Sequence, residues 1–213
     1  MSDTIAGLCT GRSCHCDLAA HTGSRVVLTG GPGAGKTAVL EIVRRSLCSH
    51  VAVLPEAASV VFGGGFLRRH SPAGRRGAQR AIFHVQREME GILAEEETNA
   101  LVLCDRGTVD GSAYWPGSEA TFWSETGTTR EKEILRYDQV IHLHSPTAGN
   151  GYNYQNPIRI ETAEQAADID ARIANAWRGH PSRHFIESTE SFLDKARAAV
   201  KLILRSVPEC CLK

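Results

Sequence analysis

Short apolar runs alternate with longer segments of helical periodicity from residue 25 onward. Five of these runs predict buried strands: RVVLTG (25–30), HVAVLPE (50–56), ALVLCD (100–105), DQVIHLHS (138–145) and RHFIES (183–188). Between them, apolar positions three or four residues apart predict helices over 36–49, 79–97, 162–178 and 190–206. Strands that alternate with helices in this way predict an α/β fold with a parallel sheet covered on both faces.

The same pattern bounds one domain, which we expect over residues 25–206. Residues 1–24 are small, polar and aperiodic and predict a flexible N-terminal tail, and residues 207–213 predict a C-terminal tail. Two stretches between the periodic segments predict loops, a basic glycine-rich one at 63–77 and one rich in Gly and Asn at 146–157.

The first predicted strand runs directly into GGPGAGKT at 30–37, which fits the pattern G-x-x-x-x-G-K-[ST]. A strand precedes the motif and a helix follows it, as a phosphate loop requires. In such a loop the backbone N–H groups and the amino end of the helix cradle phosphate oxygens, the lysine reaches the β/γ-phosphates, and the hydroxyl of Thr37 binds Mg²⁺. The predicted nucleotide-binding residues are Gly30, Gly31, Pro32, Gly33, Ala34, Gly35, Lys36, Thr37 and Ala38.

Charged residues follow the second and third predicted strands, at the sheet edge where parallel sheets bind ligands. Asp105 ends LVLCD and is a candidate to orient Mg²⁺ or to accept a proton from a hydroxyl, whereas a cap of the next turn is the structural alternative. Arg106 has the planar fork that suits phosphate oxygens. Glu56 either acts on an acceptor substrate or caps the next helix, and the sequence leaves both open.

These residues together resemble a known family. GGPGAGKT, the PEA at 55–57, the glutamines of the 79–97 helix and CDRGTVDGSAYW at 104–115 are similar to small P-loop ATPase/kinase domains of the AAA type. That family includes the ribosylnicotinamide kinase domain of a bacterial NAD-biosynthesis regulator and an animal branch described as a nucleotide-binding trafficking protein. The resemblance covers about residues 25–205.

The resemblance implies a three-layer, nucleoside/nucleotide-kinase-like fold with a five-stranded parallel sheet in the order 2-3-1-4-5. It also implies that Glu56, Asp105 and Arg106 face the acceptor. A lid over the phosphates belongs to such folds, and Arg159 and Arg172 are its candidate arginines, although the sequence lacks a strict lid motif.

We therefore expect a kinase that transfers the γ-phosphate of ATP to a small hydroxyl-bearing acceptor, nucleoside-like or another metabolite. The expected catalytic residues are Lys36, Glu56, Asp105, Arg106 and Arg159, with Mg²⁺ on Thr37 and Asp105. The absence of an N/T-K-x-D run favours ATP over GTP. Two alternatives stay open: a slowly hydrolysing switch or adaptor that binds a partner or a phosphoinositide, and a nucleic-acid-linked ATPase or end kinase.

The acceptor is expected beside the basic 63–77 segment, whose arginines suit an anionic group or are simply solvated. One face of the following helix presents Gln79, Phe83, Gln86 and Glu90, which either contact the acceptor or face solvent. Aromatic residues are concentrated at 114–123, where core packing and ligand stacking explain them equally well.

Charge and composition narrow the class of protein. The 24 Lys+Arg residues balance 24 Asp+Glu residues, which argues against a nucleic-acid partner held by net charge. No apolar run reaches the ~20 residues of a membrane span, and the N-terminus lacks the pattern of a secretory signal. We therefore expect a cytoplasmic protein, in which the odd count of seven cysteines indicates reduced thiols.

Metal-binding side chains occur in two further places. CTGRSCHC at 9–16, with His21 after it, lacks the spacing and the second ligand pair of the usual structural zinc sites, so the sequence does not predict zinc there. His142 and His144 share one face of the fourth strand, and packing is the favoured interpretation. Cys211 is expected in a frayed end.

Overall fold

The computed structural model describes residues 21, 23–96, 99–146, 163–188 and 191–212. Its strands are β1 (Ser24–Thr29), β2 (Val51–Leu54), β3 (Leu101–Asp105), β4 (Gln139–Leu143) and β5 (Arg183–Ile186). All of their pairings are parallel, and the strand order is β2-β3-β1-β4-β5. The predicted fold class and strand order are therefore confirmed, with strands somewhat shorter than the apolar runs that predicted them.

Helices cover both faces of this sheet. They are α1 (Lys36–Ser46), α2 (Ala57–Gly63), α3 (Pro72–Glu95), α4 (Gly111–Tyr114), α5 (Glu119–Thr126), α6 (Arg130–Ile134), α7 (Ala163–Ala176) and α8 (Phe192–Leu204), with 3₁₀ turns at Thr108–Asp110 and Glu209–Cys211. Within the described part of the chain, no helix is both long enough and apolar enough to cross a bilayer.

Alternation along the strands divides the core into two clusters. Val26 and Leu28 of β1 pack with α1 and α8 on one face, whereas Val27 between them packs with α3, α5 and α7 on the other. This division follows from the two-residue period of a strand, and the strands are apolar on both faces because helices cover both.

Helix α3 begins earlier than predicted, and it buries Phe83, Gln86 and Glu90 of the face for which contact with an acceptor or with solvent was expected. Ser71 is its N-cap and accepts a hydrogen bond from the Gly74 N–H at 3.2 Å, and Pro72 takes the first helical position. The second half of the predicted 63–77 loop is therefore helical. Glu90 is fully buried while Ile92 is 55% exposed, so the packed face of α3 is partly polar.

The domain also extends beyond residue 206, where we expected a tail. Val207 and Cys211 are buried in the α1–α8 cluster. The Cys211 N–H donates to the Pro208 carbonyl at 2.9 Å, which closes the last 3₁₀ turn. The expected N-terminal tail lies almost entirely outside the described residues, and β1 begins at Ser24.

Candidate functional site

The phosphate loop joins β1 to α1 and depends on glycine at defined points. Gly30 has φ 133°, and a Cβ there would lie 2.0 Å from the carbonyl oxygen of Leu143 in β4. Gly35 has φ 94° and is the N-cap of α1, where it offers no side-chain acceptor, and the first turn of α1 contains no acidic residue. The N–H groups at this helix terminus are therefore available to a bound anion.

Lys36 turns back over the loop. Its Nζ donates to the carbonyl oxygens of Gly30 at 3.0 Å and Gly31 at 3.3 Å. Burial and the positive charge of Arg106 lower the pKa of Lys36 to about 8, although Asp105 opposes this shift. Two half-buried cations so close together favour an anionic ligand, which would compensate the charge of Lys36.

Asp105 ends β3 beside this loop. Burial raises the pKa of its carboxyl to about 6, with Lys36 opposing the shift and Glu56 adding to it. Its Oδ1 is buried and has no hydrogen-bond partner among the described residues. Because buried carboxylate oxygens are normally paired, this atom is suited to a ligand, such as a metal ion or a hydroxyl group.

Glu56 follows β2 and forms an ion pair with Arg106, whose Nε lies 2.7 Å from its Oε1. Burial opposes ionisation, but the charges of Arg106 and Lys36 outweigh it and keep the pKa of Glu56 below its usual value. Glu56 is the N-cap residue of α2 but makes no side-chain cap hydrogen bond. Its Oε2 accepts the Ser59 hydroxyl at 3.0 Å, so the carboxylate contacts both Arg106 and the first turn of α2. Glu56 is a weaker proton acceptor than Asp105.

Arg106 has an unusual backbone conformation for a non-glycine residue, with φ 70°. Such a conformation costs about 1–3 kcal/mol, so the surrounding contacts must enforce it. The Arg106 N–H donates to the Leu28 carbonyl at 3.1 Å, and its Nη1 lies 3.5 Å from Asp110 Oδ1. Burial disfavours its charge, but Tyr114, Asp110 and Glu56 outweigh burial and raise the pKa of Arg106.

Asp110 fixes this turn, and sequence reasoning did not assign it a role. Its carboxylate accepts hydrogen bonds from the Thr29 hydroxyl, from the Gly107 N–H at 2.8 Å and from the Trp177 indole N–H at 3.2 Å. It therefore links the end of β1 to the segment that carries Arg106. Its position inside CDRGTVDGSAYW is the signal that could have identified it.

A second missed residue, Asp170 of α7, anchors the phosphate loop from the other side. Its Oδ1 accepts the Gly31 N–H at 2.6 Å and lies 3.0 Å from His142 Nε2, and its Oδ2 lies 2.7 Å from His144 Nδ1. Burial opposes ionisation, but the hydrogen bonds from both histidines and from Gly31 hold the pKa of Asp170 well below its usual range. An ionised carboxylate only accepts, so the facing ring nitrogens carry protons.

Neighbouring contacts complete this anchor. The Ser145 hydroxyl donates to the Pro32 carbonyl at 2.9 Å, and Lys195 of α8 donates to the His144 carbonyl. His142 is fully buried, as the packing interpretation predicted. The two histidines therefore do more than pack in the core. They hydrogen-bond the Asp170 carboxylate, which in turn accepts the Gly31 N–H of the phosphate loop.

A cavity of about 930 Å³ opens beside the loop, between α2, α3, α4 and α7. Its walls combine aromatic rings, amides and arginines. The lining includes Phe62, Phe66, Phe83, Tyr114, Gln79, Gln86, Arg68, Arg69 and Arg75, with Pro32, Glu56 and Arg106 on the side of the phosphate loop. The cavity is large enough for a small organic molecule.

Several predicted acceptor contacts lie in this cavity and others do not. Glu90 turns away from it into the core, where the Tyr137 hydroxyl donates to its Oε1 at 2.8 Å. Trp115, Phe122 and Trp123 belong to the core cluster on that face of the sheet, so packing explains them. Of the aromatic residues at 114–123, Tyr114 is the one that lines the cavity.

Most of the predicted lid lies outside the residues that the structure describes. Arg159 and the 147–157 part of the predicted loop lie outside the described residues. Arg172 lies on the exposed side of α7, 3.9 Å from Asp168, and does not line the large cavity. The lid and its arginines therefore remain a prediction.

Comparison with known proteins agrees with this fold. The chain is similar in structure to a thymidylate kinase from Candida albicans, with a TM-score of 0.54 and 10% sequence identity over 86% of this chain and 92% of that one. Among curated proteins, none matches the sequence. The family described as an AAA domain matches residues 25–195. Since that match spans well over half of the chain, the protein belongs to this AAA-domain family of P-loop NTPases and has a kinase-like fold.

Proposed function

We propose that this kinase-like P-loop protein transfers the γ-phosphate of ATP to a hydroxyl group of a small acceptor held in the cavity. The observation that carries the proposal is Asp105, whose buried Oδ1 has no hydrogen-bond partner among the described residues. Its carboxyl interacts electrostatically with both Lys36 of the phosphate loop and Glu56 at the cavity wall. Asp105 does not itself line the cavity, but Glu56 and the adjacent Arg106 do. Phosphoryl transfer to a hydroxyl requires a group near both sites that takes up the hydroxyl proton.

ATP and Mg²⁺ fit the residues of the loop. The uncapped terminus of α1 and the half-buried ammonium of Lys36 suit the phosphates. Thr37 is exposed in the first turn of α1, and its hydroxyl is an oxygen donor of the kind that Mg²⁺ prefers. When bound, Mg²⁺ neutralises phosphate charge, which assists transfer.

The remaining residues take roles that follow from their contacts. Asp105 accepts the proton of the acceptor hydroxyl, and its pKa of about 6 suits a base that works near neutral pH. Arg106, held by Glu56 and Asp110, stabilises negative charge on the transferred group. Glu56 acts as the residue that positions Arg106.

The cavity supports an acceptor that has a ring and an anionic group. Phe83 and Tyr114 offer surfaces for a planar ring, and Arg68, Arg69 and Arg75 give one wall a positive charge. The thymidylate kinase of similar fold acts on a nucleotide, as its name states. A nucleoside-like acceptor is therefore our proposal, and the finer resemblance to ribosylnicotinamide kinases belongs to it.

The test is an assay with γ-labelled ATP and Mg²⁺ against a panel of nucleosides, nucleoside monophosphates and phosphoinositides. Lys36→Ala is the blank, and Lys201→Ala, at an exposed position of α8, is the matched lysine control. We expect label on one acceptor class with the wild type and with Lys201→Ala, and none with Lys36→Ala. Tight ATP binding without label on any panel member would contradict the kinase proposal.

One observation favours a second function, a nucleotide switch that binds an anionic lipid headgroup. Phe66 and Leu67 are 42% and 67% exposed and stand directly before Arg68 and Arg69 at the cavity mouth. Exposed apolar side chains beside cations suit the surface of an anionic membrane. This function predicts ATP-dependent sedimentation with phosphoinositide vesicles that Leu67→Ser abolishes, together with slow phosphate release and no transfer.

A further inference from the structure

Three metal-binding side chains converge at the amino edge of the sheet, opposite the phosphate loop. His21 lies before β1, His50 lies directly before β2, and Cys211 ends the last 3₁₀ turn. One ligand atom from each of the three lies within 4.8 Å of the other two. Their sequence separations are 29 and 161 residues, so folding alone brings them together.

Two of the three donor–donor distances match the edges of a zinc coordination tetrahedron, and the third, between His21 and Cys211, is at most 4.8 Å. His21 Nε2 lies 3.2 Å from His50 Nδ1, and Cys211 Sγ lies 3.7 Å from the same His50 nitrogen. With Zn–N near 2.0–2.1 Å and Zn–S near 2.3 Å, tetrahedral geometry gives N···N about 3.3 Å and N···S about 3.6 Å. The nitrogen of His50 thus faces both other donors at the separations that a shared metal ion requires.

Two of these donors, His50 and Cys211, are held in place by the fold. The His50 carbonyl accepts the N–H groups of Ala100 at 2.8 Å and Leu101 at 3.2 Å, so the backbone of His50 is tied to β3. Cys211 is 1% exposed and packs in the core cluster. Because the fold already fixes these two ligands, zinc binding would lose little conformational entropy in ordering them.

The other cluster of this kind has a different chemistry. In His142, His144 and Asp170, each histidine faces a different carboxylate oxygen, and the carboxylate also accepts the Gly31 N–H. That cluster is a hydrogen-bonded anchor of the phosphate loop. At the amino edge, by contrast, two imidazoles and a thiol offer the nitrogen and sulfur donors that zinc selects.

We propose that His21, His50 and Cys211 bind a zinc ion that links the segment before β1, the α1–β2 connection and the C-terminal turn. Binding releases the thiol proton of Cys211 to solvent, and the thiolate and two neutral imidazoles become ligands. Water or a further donor completes the fourth coordination position. The ion fastens both ends of the domain, at the opposite edge of the sheet from the nucleotide site.

Zinc content tests this proposal independently of the kinase assay. The full-length protein is dialysed against Zn²⁺ and then against buffer, and zinc per chain is measured by mass spectrometry. We expect one equivalent in the wild type, and less than a tenth of that in His50→Ala and in Cys211→Ser. Cys104→Ser, at a buried thiol of the opposite core cluster, and His84→Ala, at an exposed histidine, are the matched controls and should retain zinc.

Cobalt substitution of the wild type keeps the test decisive if a variant fails to fold. We expect a thiolate-to-cobalt charge-transfer band and the intense visible bands of tetrahedral Co²⁺, which Zn²⁺ then displaces. The melting temperature should also fall on chelation. Absence of stoichiometric zinc from the wild type, a cobalt spectrum without thiolate character, or zinc retained in both ligand variants would overturn the proposal.

Discussion

The carboxylate of Asp170 accepts a hydrogen bond from the Gly31 N–H at 2.6 Å, so a residue of α7 holds the first turn of the phosphate loop. The contact joins parts of the chain that are 139 residues apart. Helix α7 follows the segment predicted to be the lid, and α7 also lines the large cavity through Ile169. The loop, the cavity and this helix are therefore mechanically connected.

Asp170→Asn is expected to weaken ATP binding by about tenfold. The amide keeps the shape of the carboxylate but cannot accept from two imidazoles and the Gly31 N–H together. A hydrogen bond to a charged group contributes about 1.5–3 kcal/mol, part of which orders the loop. Asp168→Asn, at an exposed side chain of the same helix, is the control. Equal ATP dissociation constants for the two variants by calorimetry would show that the anchor does not matter.

The Glu56–Arg106 pair is expected to couple more strongly than a surface ion pair. The side chains are 31% and 14% exposed, and removal of either leaves the other charge poorly compensated. A double-mutant cycle with Glu56→Gln and Arg106→Gln in urea unfolding should give a coupling free energy of about 1–3 kcal/mol. The exposed Asp194–Arg197 pair serves as the reference and should give less than about 1 kcal/mol. A coupling free energy no larger than that of the reference pair would show that the Glu56–Arg106 pair contributes no more than a surface ion pair.

Asp105 is expected to reduce stability at neutral pH. Its pKa is about 6 in the folded protein against 3.8 in a model peptide, so the folded state holds the proton more tightly. Stability therefore falls as pH rises from about 4 to about 6, and the loss persists above pH 6. In the nucleotide-free protein, Asp105→Asn should raise the free energy of unfolding by about 2–3 kcal/mol at pH 8 and by about half as much at pH 5.

The measurement is urea unfolding of both proteins at the two pH values. Asp138→Asn does not serve as a control, because its carboxylate accepts the Arg25 N–H at 2.7 Å. Asp168→Asn, again at an exposed position, is suitable and should have the same effect at both pH values. A destabilising Asp105→Asn at pH 8 would mean that the carboxylate is satisfied in the folded protein.

Glycine at position 30 is expected to be essential for stability, and glycine at position 91 is not. Gly30→Ala places a Cβ 2.0 Å from the Leu143 carbonyl at a positive φ, and should lower the free energy of unfolding by about 3 kcal/mol. Gly91→Ala, in the open interior of α3, should raise it by about 0.5–1 kcal/mol. Thermal unfolding of both variants checks this contrast, and equal effects would refute the loop geometry.

The sheet and half of the site could be predicted from sequence because their signals are local. Each apolar run is a strand, and the residues after the strands must gather at one edge, which is how Glu56, Asp105 and Arg106 are brought beside Lys36. The phosphate loop carries its own signature in consecutive residues.

The rest depends on contacts that no local pattern encodes. Asp170 stands in an ordinary amphipathic helix, and its role comes from residues 26–139 positions away. The packed face of α3 is partly polar because Arg136, from a distant segment, pairs with the buried Glu90. The spacing of residues along the helix does not indicate that pair. Ser71 and Pro72 did carry a local helix-start signal, which the interpretation of 63–77 as one basic loop ignored.

The most direct test is the fate of the γ-phosphate in a single turnover, with the wild type and Asp105→Asn compared in the presence of the acceptor panel. If Asp105 is the base, label moves from ATP to an organic acceptor in the wild type. Asp105→Asn should lower that rate by about 10²–10⁴-fold, while its ATP affinity, measured separately without Mg²⁺, stays within about threefold. Label found only as inorganic phosphate in both proteins would contradict the account and identify a nucleotide hydrolase instead.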